Sequence, residues 1–184
     1  YIGAGQYVLQ IDDQNRNGGV INVPNSIAQS FSVQTLLVIS PVTGGNCSAR
    51  FLNSPIQDAC LNQPWVHNPA AIDPDGDSLS YEPAVCLGIN GEPIQGYSFP
   101  GSNYSIDPIT GTIIWNAPSL AGEYNIAFVV REWRRRNGNW YEVGHVMRDM
   151  QITVVPCNNQ APQISAQLDT CIEAGSQLNF NVQA

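Results

Sequence analysis

Three carboxylates crowd one short run, Asp73-Pro74-Asp75-Gly76-Asp77. Carboxylates this close disfavour one another's ionisation unless a cation neutralises them. Calcium suits such a run, because it takes several oxygen ligands, carboxylates and carbonyls alike, at flexible geometry. Gly76 would let the loop fold around an ion. The run is not an EF-hand, since its glycine directly follows the second Asp and no Glu stands at the twelfth position. Calcium held by Asp73, Asp75 and Asp77 is one reading, and an Asp-rich turn made of turn-forming residues is the other. Further ligands could come from Asn68, Asp107, Glu132 or Asp149. A second polar cluster, Asp12, Asp13, Asn15 and Asn17, reads as a solvated turn.

A basic patch follows at Arg131, Arg134, Arg135 and Arg136, with Trp133 and Trp140 beside it. Trp133, Arg135 and Trp140 could contact a sugar or polyanion. The competing reading has the arginines solvating a hairpin end while the tryptophans pack or stack against them. His67 and His145 are isolated, and no local nucleophile motif accompanies them, so the chain is expected not to be an enzyme. Five cysteines in 184 residues point to an oxidising compartment. None lies in a C-x-x-C pair, and two histidines are too few for a Cys/His zinc site. Cys157 and Cys171 flank one expected strand and could be bridged. A Cys47–Cys60 bridge is another possibility, since spacing alone does not decide connectivity.

The net charge is −8, and all seven basic residues are Arg. An acidic surface repels a phosphate backbone, so nucleic acid is an unsuitable partner, whereas divalent cations are suitable ones. Without lysine, no Lys–Asn isopeptide crosslink can form. No apolar run approaches membrane-spanning length, so no direct membrane insertion is expected. No signal peptide is visible, and the chain reads as an internal fragment.

The elements that must carry these residues are strands. Thirteen prolines and sixteen glycines are spread along the chain and punctuate short alternating runs. Strands are expected over Tyr7–Asp12, Val20–Val23, Phe31–Ser40, Phe51–Ile56, Trp65–Ile72, Ser78–Cys86, Ile94–Phe99, Tyr104–Ile106, Thr112–Trp115, Glu123–Arg134 and Trp140–Val155. Asn137-Gly138 between the last two marks a hairpin. The expected fold is all-β, with tandem Ig-like β-sandwich domains. Residues 1–52 would be the C-terminal part of one domain and residues 53–157 a complete one. Residues 158–184 would be a linker and the first strands of a third, over Gln163–Ala166 and Gln177–Ala184.

Two segments carry a family resemblance. Ala71-Ile72-Asp73-Pro74-Asp75-Gly76-Asp77-Ser78-Leu79-Ser80-Tyr81 resembles the A-x-D-x-D…Y element of cadherin-type repeats. Tyr104-Ser105-Ile106-Asp107-Pro108-Ile109-Thr110-Gly111-Thr112-Ile113 resembles their F-x-I-D-x-x-T-G-x-I element. Asn158-Asn159-Gln160-Ala161-Pro162 is similar to the polar linker before a next repeat. More narrowly, Asn15-Arg16-Asn17, the stretch from Cys60 through Asn68-Pro69-Ala70 to Tyr81, Gly122–Phe128, Arg148–Ile152 and Asp169-Thr170-Cys171 resemble large surface proteins of gliding bacteria that leave the cell by type IX secretion. The resemblance implies an extracellular, cell-surface protein of tandem repeats with an adhesive or structural role, stiffened by calcium. Its partners would be neighbouring repeats, surface glycans or other copies in a filament. It also favours a Cys60–Cys86 bridge, leaving Cys47 as the odd thiol. Trp115-Asn116-Ala117-Pro118 departs from the family, standing where cadherins carry an acidic calcium ligand. Other expectations compatible with the residues are a carbohydrate- or ligand-binding module, a filament subunit, and an accessory domain of a secreted enzyme.

Overall fold

A computed structural model describes residues 3–158, 171 and 173–179. Eleven strands occur among them: β1 (Gly5–Asp13), β2 (Phe31–Ile39), β3 (Arg50–Phe51), β4 (Asp58–Cys60), β5 (Trp65–His67), β6 (Ala71–Ile72), β7 (Ser78–Ala84), β8 (Tyr104–Ile106), β9 (Ile113–Trp115), β10 (Gly122–Arg136) and β11 (Asn139–Val155). The largest sheet has the order β1-β2-β11-β10-β7, with β4 added to β11. A three-stranded sheet, β5-β9-β8, and the small pair β3-β6 complete the fold. The pairs are antiparallel except β4 with β11.

The hairpin of β10 and β11 organises the molecule. Asn137 and Gly138 both take positive φ, 51° and 84°, as the tightest hairpin turns require. Alternation along β10 sends Tyr124, Ile126, Phe128 and Val130 into a core shared with Met150, Ile152 and Val154 of β11. Trp65, Ile113 and Trp115 of the three-stranded sheet join that core. The rings of Trp115 and Tyr124 meet edge to face at 4.7 Å. A second cluster, with Val20, Val23, Cys86, Ile94, Ala127 and Met147, includes the alternate β10 residue Ala127. The protein is thus an all-β fold with apolar packing on both sides of its central hairpin.

Residues 1–52 do not stand apart from residues 53–157. Thr35, Leu36 and Leu37 of β2 pair with Val146, His145 and Gly144 of β11, so both segments share one sheet. The boundary expected at 52/53 is therefore corrected: two strands alone are marginal in water, and these dock on the hairpin. The segment expected at 158–184 lies for the most part outside the described residues, as does the strand expected over Gln163–Ala166.

Other expectations change as well, and the strand expected over Phe51–Ile56 shrinks to β3, Arg50–Phe51. Val20–Val23 is a turn, and its Asn22 side chain does a strand's work. Asn22 Nδ2 donates to Asn125 O at 2.7 Å, while its Oδ1 accepts from Asn125 N at 2.9 Å, satisfying both backbone groups of that β10 residue. Ile94–Phe99 is likewise no strand. The run Trp65–Ile72 breaks into β5 and β6 at Asn68-Pro69-Ala70, where Ala70 has φ 47° and Asn68 Oδ1 accepts its N–H at 2.8 Å.

The disulfide joins Cys60 to Cys157, 97 residues apart in sequence. Cys60–Cys86, Cys47–Cys60 and Cys157–Cys171 are all ruled out by it. The physical reason is β4, which runs parallel to the end of β11 and sets Cys60 opposite Val155. Cys86 is buried in the second cluster as a free thiol, and Cys47 and Cys171 are free and exposed.

Candidate functional site

The Asp73–Asp77 run forms the tight loop between β6 and β7. Asp73 closes it, its Oδ1 accepting the backbone N–H groups of Asp75 at 2.8 Å and Asp77 at 3.0 Å. Gly76 takes φ 79°, a conformation that costs glycine nothing. Asp75 Oδ2 accepts the Cys47 N–H at 2.7 Å, tying this loop to the one after β2. One carboxylate oxygen from each of Asp73, Asp75 and Asp77 lies within 4.8 Å of the others. The cluster expected from the sequence is assembled, and its donor set could hold a metal ion.

A resident cation also stands there. Arg134 grips Asp77 as a fork, Nε to Oδ1 at 2.7 Å and Nη2 to Oδ2 at 2.5 Å. Its Nη2 also reaches Asp75 Oδ2 at 3.2 Å and Asn46 Oδ1 at 2.9 Å. Its Nη1 donates to the carbonyls of Thr43 at 2.9 Å and Gly45 at 2.7 Å. The side chain is only 9% exposed. Expected to solvate a hairpin end, Arg134 instead staples two loops from the core side. The alternation of β10 puts it there: residues 124, 126, 128 and 130 point into the core, and 132 and 134 continue that series.

Glu132 is the other charged member of that series, and it is fully buried. It accepts the Ala49 N–H at 2.7 Å and the Asn46 side-chain amide. Asn46 thus bridges Arg134 and Glu132. Burial pushes the Glu132 carboxyl above its usual range, and the charges of Asp73 and Asp77 add to that, against the two hydrogen bonds. Asp75 is held low, chiefly by the Cys47 amide, with Arg134 assisting. Of the four acidic side chains in this region, Asp75 and Asp77 pair with the guanidinium, and Asp73 and Glu132 accept other donors. Space is tight as well: Gly144 sits opposite Glu132, and a β-carbon on it would lie 2.6 Å from Glu132 Oε2.

Of the additional ligands considered, Glu132 alone belongs to this cluster. Asn68 donates to Thr110 O and Thr112 Oγ1, Asp107 caps the N–H groups of Ile109 and Thr110, and Asp149 pairs with Arg16. Trp133, Arg135 and Trp140 line, with Asp75, Asp77 and Arg134, a shallow cleft of about 230 Å³. The structure thus merges two sites that the sequence kept separate. Trp133 Nε1 is committed to Ser80 Oγ at 2.8 Å, whereas Trp140 is 54% exposed beneath the Arg135 guanidinium, 5.9 Å from its ring. His67 is buried, its pKa lowered first by that burial, and His145 Nδ1 lies 2.9 Å from Glu142 Oε1.

The disulfide fits a non-reducing compartment. Among the described residues, no helix is long and apolar enough to cross a membrane. No family model matches the chain, and no curated protein does. Among solved structures, a nucleoside hydrolase-related hypothetical protein from Saccharophagus degradans, associated with carbohydrate metabolism, is similar at 22% identity and TM-score 0.38. That likeness spans 64% of this chain and only 28% of the other.

Proposed function

We propose that the chain is a non-enzymatic structural or adhesive Ig-like, cadherin-like repeat of a secreted bacterial surface protein, stiffened by calcium at Asp73, Asp75 and Asp77. The observation that carries the metal part is Asp73 Oδ2. It is buried and has no hydrogen-bond partner among the described residues, in a cluster where acidic groups outnumber the guanidinium. A second cation beside that oxygen would offset the negative charge of Asp73 and Asp77, which adds to burial in raising Glu132. Asp73, Asp75 and Asp77 would hold it, with Glu132 behind them; bound calcium would supply positive charge and tie together the three carboxylates of that loop. The protein's own part is positional. Arg134 and Asn46 hold the two loops together, so an ion bound there would stabilise the folded arrangement over the unfolded chain. The disulfide supports secretion. The gliding-motility and type IX assignment rests on the sequence resemblance alone.

The test is thermal melting with calcium and with EDTA, on the native chain and on Asp73→Asn. This variant keeps an Oδ1 to cap the loop while replacing the unpartnered oxygen. An excess of one hundred times Kd stabilises by about 2.7 kcal/mol. For a chain of this size that is a rise of roughly 5–10 °C. The rise is expected in the native chain and not in the variant. An unmoved native melting point, or an equal rise in Asp73→Asn, would sink the reading.

Exposed Trp140 favours a second reading, in which the same cleft binds a glycan or another ligand. A glycan-array signal lost in Trp140→Ala would support it. A flat array with the native chain would remove it.

A further inference from the structure

The turn after β1 bears a feature that the metal cluster does not use. Among its exposed polar residues, Arg16 is buried, only 6% exposed. Its Nη2 donates to Asp149 Oδ2 at 2.6 Å and to Leu87 O at 2.9 Å. Little of either side chain reaches the surface, with exposures of 2% for Arg16 and 0% for Asp149. The pairing is end-on and uses one nitrogen. Arg16 Nε and Nη1 are buried without a hydrogen-bond partner among the described residues, and so is Asn125 Oδ1. Asp149 Oδ1 is in the same position, apart from the weakly donating Cys86 thiol near that carboxylate. Arg16, Asn125 and Asp149 line a cleft of about 330 Å³, whose walls include Asp13, Asn15 and Phe31.

Buried charged groups are seldom left unpaired in folded proteins, because each such group costs its full desolvation. The kind of partner that would complete this set follows from its composition. Arg16 offers free donors, while Asn125 and Asp149 offer free acceptors. A cation is disfavoured by Arg16, and an anion by Asp149 and Asp13. An apolar molecule would leave the polar atoms unpaired. A hydroxyl both donates and accepts, so a ring bearing several hydroxyls matches both halves of the set. Phe31 is the aromatic residue of the lining, and the Arg16 guanidinium lies over its ring, 5.2 Å from the centroid. The volume lies at the lower end of the range of roughly 300–1,000 Å³ for ligand pockets, enough for one sugar ring.

We propose that the cleft over Arg16, Asn125 and Asp149 binds a single neutral sugar residue, such as the end of a glycan chain. The site shares no lining residue with the Asp73 cleft and does not rest on the calcium reading.

The experiment is a heteronuclear NMR titration that follows the Arg16 Nε–H signal. Glucose, galactose, mannose and N-acetylglucosamine are the probes. At least one is expected to shift that signal saturably, with Kd in the range of about 1–10 mM, where one-ring ligands bind weakly. Asn15→Ala, an exposed rim change that leaves the ion pair intact, is expected to weaken binding about tenfold, which is about 1.4 kcal/mol. Trp140→Ala should leave the titration unchanged. No saturable shift with any of the four sugars would assign the free donors and acceptors to water and overturn the proposal. A response to inorganic phosphate alone would make the cleft an anion site and overturn it too. Loss of the sugar response in Trp140→Ala would move binding to the hairpin cleft, with the same result.

Discussion

Arg134 and Asp77, 57 residues apart, face each other as a two-pronged pair, Nε to Oδ1 at 2.7 Å and Nη2 to Oδ2 at 2.5 Å. The pair closes the end of the core. Removing one partner of a buried pair leaves the other charge without compensation, at a cost of about 3–5 kcal/mol. Arg134→Ala is predicted to lose that much in urea unfolding, and Arg134→Lys to recover only part, because an ammonium lacks the planar fork. The double variant with Asp77→Asn should lose clearly less than the sum of the single changes. Strict additivity would mean that the pair is not coupled.

Two glycines near this site should respond differently to alanine. At Gly144 a β-carbon would meet Glu132 Oε2 at 2.6 Å and the carbonyl oxygen of Leu36 at 2.8 Å. The clash is with a packed strand and a buried carboxylate, so Gly144→Ala is predicted to destabilise by about 2–4 kcal/mol, like an overpacked core. At Gly76 nothing lies within 4 Å, and the φ of 79° is the only obstacle. Gly76→Ala should cost about 1–2 kcal/mol, the penalty of left-handed backbone for an L-residue. Denaturation midpoints of the two variants, with slopes unchanged, check the ranking.

Cysteine labelling separates the thiols by burial. Under native, non-reducing conditions iodoacetamide should modify Cys47 and Cys171 and leave Cys86, Cys60 and Cys157 untouched. Cys86 is protected twice, by packing and by a thiol pKa driven far up, first by burial. Reduction of Cys60–Cys157 should lower stability by about 4–5 kcal/mol on the chain-entropy estimate for so long a loop. Peptide mass mapping and unfolding with and without reductant test both statements.

Asp107 makes a pH signature at an exposed position. Its Oδ1 accepts the N–H groups of Thr110 at 2.6 Å and Ile109 at 2.9 Å, and these bonds hold its carboxyl below the usual range, Thr110 first. A carboxyl with a lowered folded pKa binds fewer protons folded than unfolded. Its contribution is therefore present above the ordinary aspartate pKa and fades as pH falls through the folded value. Asp107→Asn keeps an acceptor but not the charge. It should flatten the acid limb of the melting temperature against pH and leave that temperature less dependent on acid. An unchanged acid limb would contradict this.

What could be read from the chain, and what could not, divides by range of interaction. The β10–β11 hairpin was legible because its signal is local: Asn137-Gly138 between two alternating runs. The Asp73 loop was legible for the same reason. Arg134 was not, because it lies among four arginines and reads as hairpin-end charge. Counting by twos from Tyr124 would have placed Glu132 and Arg134 inward, and that is the signal that was missed. The bridge from Cys60 to Cys157 depends on β4, a three-residue strand pairing in parallel with β11, and no local pattern marks it. Val20–Val23 looks like a strand because Val20 and Val23 are core residues, yet beside one backbone bond, from Ile21 N–H to Glu123 O, its pairing with β10 runs through the Asn22 amide side chain.

The same disulfide decides which part of the chain can bear a load. Tension entering beyond Cys157 passes directly to Cys60, bypassing the segment between them, which includes β5 to β11. Held in reserve is the whole sequence separation of 97 between the two cysteines. At about 3.4 Å per extended residue it amounts to roughly 330 Å of slack that stretching cannot draw out while the bond is intact. Between the two cysteines the oxidised chain would resist pull as a short link, and only a reductant would let that part lengthen.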